Sequence, residues 1–215
     1  MEIKEKQKAL QIKNLGVISY KQAYEIQMEC LERVSLGELD TLILCEHPTV
    51  LTLGRTSDEE NILVSKEELE KNNILVEFIN RGGDITLHST GQLVAYPILN
   101  LKHFDKDLKL YLKRIEKVAI DLLGCFGIVA SRLSGSTGVW VNDKKIASIG
   151  IGVRKWITFH GIAININTNL DLFSMIRPCG MDVQMTSMAD IKGEFIDINK
   201  TKNSFIDNFC SIFNF

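Results

Sequence analysis

Residues 138–153 read GVWVNDKKIASIGIGV. An Asn-Asp pair near the middle separates two runs that are rich in valine, isoleucine and tryptophan. This pattern predicts a β-hairpin with strands over residues 138–141 and 145–153, joined by a turn at 142–143. Strands joined by hairpins are antiparallel neighbours, and they favour an α+β fold over one in which strands and helices alternate regularly.

The second of these strands carries small residues at alternate positions. Simple alternation places Lys145 and Ile149 on one face of the strand, and Ser148 and Gly150 on the other. Small side chains leave room either for an apolar chain close to the backbone or for the packing of another segment. Both interpretations stay open at this point.

Apolar residues at helical spacing predict two long helices and a shorter one. The first begins after Ser19, which stands three positions before a glutamine as in a capping box, and it ends at Gly37. The second covers about residues 107–123 and ends at Gly124. A short amphipathic helix is predicted over residues 202–215.

Further strands are predicted over residues 41–45, 50–53, 75–79, 93–99 and 157–165. Because strands outnumber helices, we predict an α+β fold with a mixed β-sheet and flanking helices. No repeat, low-complexity tract or linker divides the sequence, so residues 1–215 are expected to form one domain.

The composition is that of an ordinary globular protein, with 45% hydrophobic and 24% charged residues and a formal net charge of −2. This balance gives no reason to expect a nucleic acid or a membrane as partner. The N-terminus carries charges of both signs and does not resemble a secretory signal. Five cysteines without a CxxC spacing indicate free thiols, and we expect a cytoplasmic protein.

Cys179 stands in a setting that differs from those of the other cysteines. It lies between Pro178 and Gly180, which fit neither a helix interior nor a central strand, and Arg177 adds positive charge nearby. A thiol in such a loop is placed like a nucleophile. The contrasting cysteines, each within an apolar helical or strand pattern typical of buried packing, are Cys30, Cys45 and Cys125.

Lys145 is the candidate partner for this thiol. Only a thiolate attacks efficiently, and a nearby cation lowers the thiol pKa from its usual value of about 8.5. Lys145 begins an apolar strand, whereas its neighbour Lys144 is expected to lie in solvent. The same lysine could accept a proton from an attacking amine, so the pair predicts an acyltransferase.

Residues 81–88, RGGDITLH, form a polar stretch ahead of a buried strand and are predicted to be a binding loop. The stretch has neither a phosphate-loop nor a dinucleotide-binding pattern. His47, His88 and His160 are predicted at strand–loop junctions, and His103 in solvent. Since no HxxxH or CxxC spacing occurs, no metal site is expected.

These motifs together resemble one known family. The blocks that carry the resemblance, in chain order, are EHP (46–48), LTLGR (51–55), RGGDITLH (81–88), GQLV (91–94), YPI (96–98), GVWV (138–141), KIA (145–147), IG (149–150), HG (160–161), Ala163, Asn165 and PCG (178–180). The chain resembles the lipoyl(octanoyl) transferases of the LipB type over about residues 15–190. One block departs from the family pattern, because residues 88–92 read HSTGQ where the family usually has HGPGQ.

The resemblance implies the catalytic fold shared with biotin and lipoate protein ligases, acting as a monomer without a cofactor. It implies octanoyl transfer from acyl carrier protein to a lysine of lipoyl domains, which belong to 2-oxoacid dehydrogenases and the glycine cleavage H protein. The acyl-thioester nucleophile falls on Cys179, and the lysine that lowers its pKa falls on Lys145. The implied acyl-binding residues are Arg81, Gly82, Gly83, Asp84, Ile85, Thr86, Leu87, His88, Ser148, Ile149, Gly150, Gly161, Ile162 and Ala163.

Three other functions fit parts of the sequence. An ATP-dependent lipoate or biotin ligase would share the fold but would not need Cys179. A cysteine hydrolase would pair Cys179 with His160 or His88 and release the acid to water. A non-catalytic module that binds lipoyl domains or acyl carriers would need neither Cys179 nor Lys145.

Overall fold

A computed structural model describes residues 9–177 and 183–215. Within these residues ten strands form two sheets, which confirms the predicted α+β fold with a mixed sheet. The strands are β1 (Leu10–Val17), β2 (Asp40–Glu46), β3 (Val50–Leu53), β4 (Leu75–Phe78), β5 (Ile85–His88), β6 (Gln92–Ile98), β7 (Ser131–Leu133), β8 (Ser136–Val141), β9 (Lys144–Arg154) and β10 (Ile157–Asn165).

The larger sheet has seven strands in the order β1-β2-β6-β10-β9-β8-β7. Its strands are antiparallel except for β1 and β2, which pair in parallel. The smaller sheet has the order β4-β3-β5, with β3 parallel to β4 and antiparallel to β5. The predicted 138–153 hairpin is present as β8 and β9, and β10 continues it through a second hairpin.

Five helices accompany the sheets in the part of the chain that the structure describes. They are α1 (Tyr20–Ser35), α2 (Lys66–Lys71), α3 (Leu108–Cys125), α4 (Met188–Lys192) and α5 (Ile198–Phe213). Helix α1 packs on one face of the large sheet, and α3 and α5 pack on the other. None of the described helices combines the length and the apolar character needed to cross a bilayer.

The boundaries of α1 and α3 lie within about two residues of the predicted ones. The Ser19 hydroxyl caps α1 by accepting a hydrogen bond from the backbone N–H of Gln22, as predicted. The prediction that Gly124 ends the second helix is wrong, because α3 continues to Cys125. The glycine with a left-handed backbone after that helix is Gly127, at φ 72°.

The C-terminal helix is longer than predicted, and a buried ion pair joins it to the sheet. Lys202 Nζ of α5 lies 3.3 Å from Glu46 Oε1 at the end of β2, and the two side chains are only 7% and 12% exposed. The other carboxylate oxygen of Glu46 accepts a hydrogen bond from the backbone N–H of Gly91. Glu46 therefore connects α5, β2 and the turn between β5 and β6.

We predict that Glu46→Ala lowers the free energy of unfolding by about 3 kcal/mol, because it leaves the Lys202 ammonium buried without its partner. Glu38→Ala is the matched control, since Glu38 pairs with Arg33 at the surface with about half of each side chain exposed. Urea unfolding of both variants measures the difference. Equal losses would mean that the Glu46 pair contributes no more than a surface pair.

Candidate active site

A cavity of about 320 Å³ lies between the two sheets, on the face of the large sheet that carries α1. Alternate residues of three neighbouring strands form its floor. The floor residues are Val94 and Tyr96 of β6, Ser148 and Gly150 of β9, and Gly161 and Ala163 of β10. The wall opposite is formed by the loop that precedes β5 and by β5 itself.

Most of the predicted acyl-binding residues line this one cavity. Leu87 does not, because it is buried in the core of the smaller sheet. Gly82 does not either, and its backbone N–H donates to the carbonyl of Ile151 in β9. The predicted residues that line the cavity are Arg81, Gly83, Asp84, Ile85, Thr86, His88, Ser148, Ile149, Gly150, Gly161, Ile162 and Ala163.

Lys145 also lines the cavity, although simple alternation placed it on the opposite face from Ser148. The cause is a β-bulge in β9. Trp140 pairs with Lys145 and Val139 pairs with Ala147, so Ile146 is an extra residue without a partner in β8. One extra residue resets the alternation of side chains. The predicted face of Lys145 was therefore wrong, and the bulge turns Lys145 toward the cavity.

The backbone of Lys145 is held by the segment that follows residues 178–182. Its N–H donates to the carbonyl of Gln184 at 2.8 Å, and its carbonyl accepts from the N–H of Thr186 at 2.9 Å. Val183 and Met185, from the same segment, line the cavity. The predicted nucleophile Cys179 lies outside the described residues, so its distance from Lys145 stays a prediction.

Arg81 is a buried cation between the two sheets. Its Nη2 donates to the carbonyl and to the hydroxyl of Thr52 in β3, at 2.7 and 3.0 Å. On the other side it fills the space that Gly150 leaves open, since a Cβ on Gly150 would lie 2.8 Å from Arg81 Cδ. Packing of another segment is therefore one reason for the glycine at 150, although Gly150 also borders the cavity.

Three buried histidines and two tyrosines cluster at one end of the cavity, and all of them except His47 line it. The Tyr20 hydroxyl lies 3.2 Å from His160 Nδ1, and the Tyr96 hydroxyl lies 2.8 Å from His47 Nε2. Burial lowers the pKa of His160 to about 3, and Arg81 adds to the effect. Burial, with the neighbouring His47 second, also lowers the pKa of His88 to about 3. These imidazoles are neutral at physiological pH and are weak bases.

Two predictions about single residues are corrected here. His160 was expected at a strand–loop junction, but it lies inside β10 with a left-handed backbone at φ 57°. Cys125 was expected to be buried, but it is exposed as the last residue of α3. Cys30 and Cys45 are buried as predicted, and burial raises the pKa of the Cys45 thiol to about 12.

A chain of buried amide hydrogen bonds, which the sequence analysis missed, runs from His88 toward Lys145. His88 Nδ1 lies 2.7 Å from Gln92 Oε1, Gln92 Nε2 donates to Asn165 Oδ1, and Asn165 Nδ2 donates to the carbonyl of Thr186. Thr186 in turn donates to Lys145. Because Gln92 offers His88 an oxygen, the neutral ring carries its proton on Nδ1.

The turn that departs from the family pattern is tightly packed. Gly91 has a left-handed backbone at φ 82°, and a Cβ there would lie 2.6 Å from the carbonyl oxygen of Asn167. Ser89 is buried, and Thr90 is exposed. The one glycine that the geometry of this turn requires is thus retained in HSTGQ.

Other cavity residues had no distinctive signal in the sequence. Tyr20, Tyr96 and Phe173 fall in ordinary apolar patterns, and only the fold brings them together. Trp140 lay within a quoted block but was not singled out. Among the described residues, no group of three histidine, cysteine or acidic side chains is arranged to hold a metal ion.

The sequence pattern of the lipoyl protein ligase A/B catalytic domain family matches residues 19–210. The chain therefore belongs to the lipoyl protein ligase A/B catalytic domain family. An octanoyltransferase of Thermoanaerobacter sp. (strain X514) is 46% identical over 206 residues, which cover 94% of this chain and 90% of the relative. The predicted resemblance to lipoyl(octanoyl) transferases is confirmed, and the chain is an acyltransferase.

Solved structures confirm the predicted fold. A T. acidophilum protein assigned as a lipoate protein ligase, solved with bound lipoic acid, superposes with a TM-score of 0.77 at 17% identity, over 94% of this chain and 85% of that one. A biotin protein ligase from Aquifex aeolicus, in complex with biotin and ATP, gives 0.53 at 19% identity, over 95% and 70%. The catalytic fold of lipoate and biotin ligases is therefore present.

Gly150→Ala tests why glycine stands at this position. We expect a loss of about 1–3 kcal/mol in the free energy of unfolding, because the new methyl group must displace Arg81 or the backbone of Gly82. Gly124→Ala, in open space near the end of α3, should be stabilising by about 0.5–1 kcal/mol. Urea unfolding compares the two. Unchanged stability in Gly150→Ala would leave only the cavity as the reason for the glycine.

The buried histidines predict a specific pH dependence of stability. Below pH 6.5 the unfolded chain binds protons at these positions and the folded chain does not, so stability is lost as the pH falls toward 3. Each histidine should remove about 2 kcal/mol between pH 7 and pH 5. His88→Gln should flatten this dependence in urea unfolding, and His103→Gln, at an exposed position, should not. Identical pH dependences of stability for His88→Gln and the parent chain would contradict the lowered pKa of His88.

Proposed function

We propose that this chain transfers an octanoyl group from acyl carrier protein to a specific lysine of lipoyl domains, through an acyl-thioester on Cys179. The acceptors would be the lipoyl domains of 2-oxoacid dehydrogenases and the glycine cleavage H protein. One observation carries the proposal: Lys145 and the acyl-binding segments implied by the family resemblance border a single cavity. The curated relatives named octanoyltransferase support the same activity.

The cavity suits an acyl chain. Apolar side chains from both sheets and from neighbouring segments line it, among them Ile79, Ile85, Val94, Ala163 and Phe173. Each methylene group that moves from water into such a site contributes about 0.8 kcal/mol. An octanoyl chain would thus gain several kcal/mol of binding free energy here, whereas an acetyl group would gain little.

The first step would be thioester exchange. The Cys179 thiolate attacks the carbonyl carbon of the acyl carrier thioester, the new C–S bond forms, and the old one breaks. The carrier sulfur leaves as a thiolate and takes a proton from the Lys145 ammonium, so Lys145 is neutral in the acyl-enzyme. Lys145 would hold the thiolate as an ammonium ion. Cys179 shortly precedes Val183 and Gln184 in the sequence, and the latter is hydrogen-bonded to Lys145, which supports the pairing.

The second step would be aminolysis of the acyl-enzyme. A neutral lysine amine of the acceptor attacks the carbonyl, a C–N bond forms, and the Cys179 thiolate leaves. The proton lost by the amine passes to Lys145 or to the departing sulfur, so that the enzyme returns to its starting state. Neither step needs ATP, because the thioester already carries an activated acyl group.

The structure argues against the hydrolase alternative, whereas the ligase alternative is distinguished by its substrates. The His88 and His160 imidazoles, with pKa values of about 3, are poor general bases for a hydrolase. An ATP-dependent ligase shares the fold, as the Aquifex aeolicus biotin protein ligase, solved with biotin and ATP, illustrates for its own family. Such a ligase would act from free acid and ATP, which provides the experimental distinction.

Intact mass spectrometry tests the proposal directly. Mixed with octanoyl-acyl carrier protein in the absence of ATP, the parent chain should gain one octanoyl group, and Cys179→Ser should gain none. Subsequent addition of a lipoyl domain should remove the group from the parent chain. Acylation that requires ATP and free octanoate would instead establish the ligase alternative.

Lys145→Ala should slow acyl-enzyme formation by about 10²–10⁴-fold, since it removes the proposed cation and proton acceptor. Lys144→Ala is the matched control, because Lys144 is adjacent in the sequence and exposed. Rates are followed by quenched-flow mass spectrometry. Similar rates for the two variants would remove Lys145 from the mechanism.

A further inference from the structure

The Lys145 side chain lies over the face of a buried tryptophan. Lys145 Nζ is 5.5 Å from the centroid of the Trp140 ring, and Trp140 is only 6% exposed. A cation at this distance over an indole face is attracted by the negative face of the ring, most strongly where water is excluded. Trp140 therefore interacts favourably with the ammonium form of Lys145.

Gly138 provides the space for this arrangement. It has a backbone φ of 135°, and a Cβ there would lie 2.7 Å from Lys145 Cε and 3.4 Å from Lys145 Nζ. Any side chain at position 138 would occupy the volume that the end of the lysine fills. Gly138 and Trp140 stand two residues apart on β8, so one strand supplies both the opening and the aromatic surface.

The backbone of Lys145 is fixed independently of its side chain. The bulge at Ile146 sets the direction of the side chain, and the hydrogen bonds to Gln184 and Thr186 hold the peptide groups on both sides. None of these backbone hydrogen bonds uses the Trp140 side chain, so a Trp140 variant retains the groups that hold the backbone of Lys145.

We propose that Trp140 is a positioning residue, which holds the Lys145 ammonium against the cavity wall and stabilises its charged form. Gly138 keeps that position open. The catalytic meaning of this contact rests on the proposed function, because it concerns the same lysine, whereas the contact itself can be tested without any acyl transfer.

Other charged groups surround the same region and must be considered in any titration. Arg81 and Asp84 border the cavity from the opposite wall, together with neutral His88. From α3, the Glu116 carboxylate accepts hydrogen bonds from the Gly138 N–H and from Arg132 Nε. Lys144 precedes Lys145 on β9. All of these are unchanged in a Trp140 variant, so a shift in Lys145 titration reports the loss of the ring.

Competitive labelling with trace acetic anhydride measures the titration of Lys145 in the native chain. The extent of acetylation at each lysine is read by peptide fragmentation over the alkaline pH range, with Lys144 as internal reference. Trp140→Leu should favour deprotonation of Lys145 by about three- to tenfold, and Trp140→Phe by less, because its ring is retained. Trp156→Leu, at a hairpin tip where Trp156 is 39% exposed, should leave the labelling unchanged.

An unchanged Lys145 profile in both Trp140 variants overturns the proposal. Should Trp140→Leu fail to fold, as judged by circular dichroism, the comparison of Trp140→Phe with the parent decides it. If the Lys145 labelling profile shifts but the chain forms no acyl-enzyme, the Trp140 contact is supported and the proposed function is wrong. If the chain does form an acyl-enzyme, the rate of its formation should fall at a lower alkaline pH in Trp140→Phe than in the parent chain.

Discussion

The buried guanidinium of Arg81 is the interaction on which the site depends. It is hydrogen-bonded to Thr52 in the small sheet and packs against Gly150 of the large sheet, so it fixes the distance between them. Its charge also contributes to keeping His88 and His160 neutral. A cation in such a place is tolerated because backbone and side-chain oxygens accept hydrogen bonds from its Nη groups. Arg81 thus contributes to the shape of the cavity, and it adds to the effect of burial on the protonation of its walls.

Most of the fold could be predicted from the sequence, because the spacing of apolar residues indicates which face of each strand or helix is buried. The alternation in residues 138–153 and the helical spacing after Ser19 gave elements close to those observed. The predictions were wrong where a local irregularity of the backbone interrupts this spacing or where a helix continues past an expected end. The bulge at Ile146 reversed the expected face of Lys145, and α3 continued past Gly124, since a glycine at an exposed helix end costs little.

The site was predictable only in part. Motif blocks gave the loop at 81–88 and the residues of β9 and β10, because those segments carry recognisable spacing. Gln92 and Asn165 both belong to the family pattern, but they are far apart in the sequence, and nothing in it indicates that hydrogen bonds join them. Likewise Tyr20 and Tyr96 belong to separate apolar patterns, and they meet only when α1 docks on the large sheet.

The ion pair between Lys202 and Glu46 has a consequence for how the chain acquires its structure during synthesis. The two residues are separated by 156 positions, so a nascent chain emerging from the ribosome lacks the ammonium until residue 202 has been made. Until then the Glu46 carboxylate has no reason to leave water, and its bond to the Gly91 turn competes with hydration. Closing so long a loop is slow because its entropy must be lost first. The 81–88 segment next to that turn is thus expected to become ordered late, after the central strands have paired.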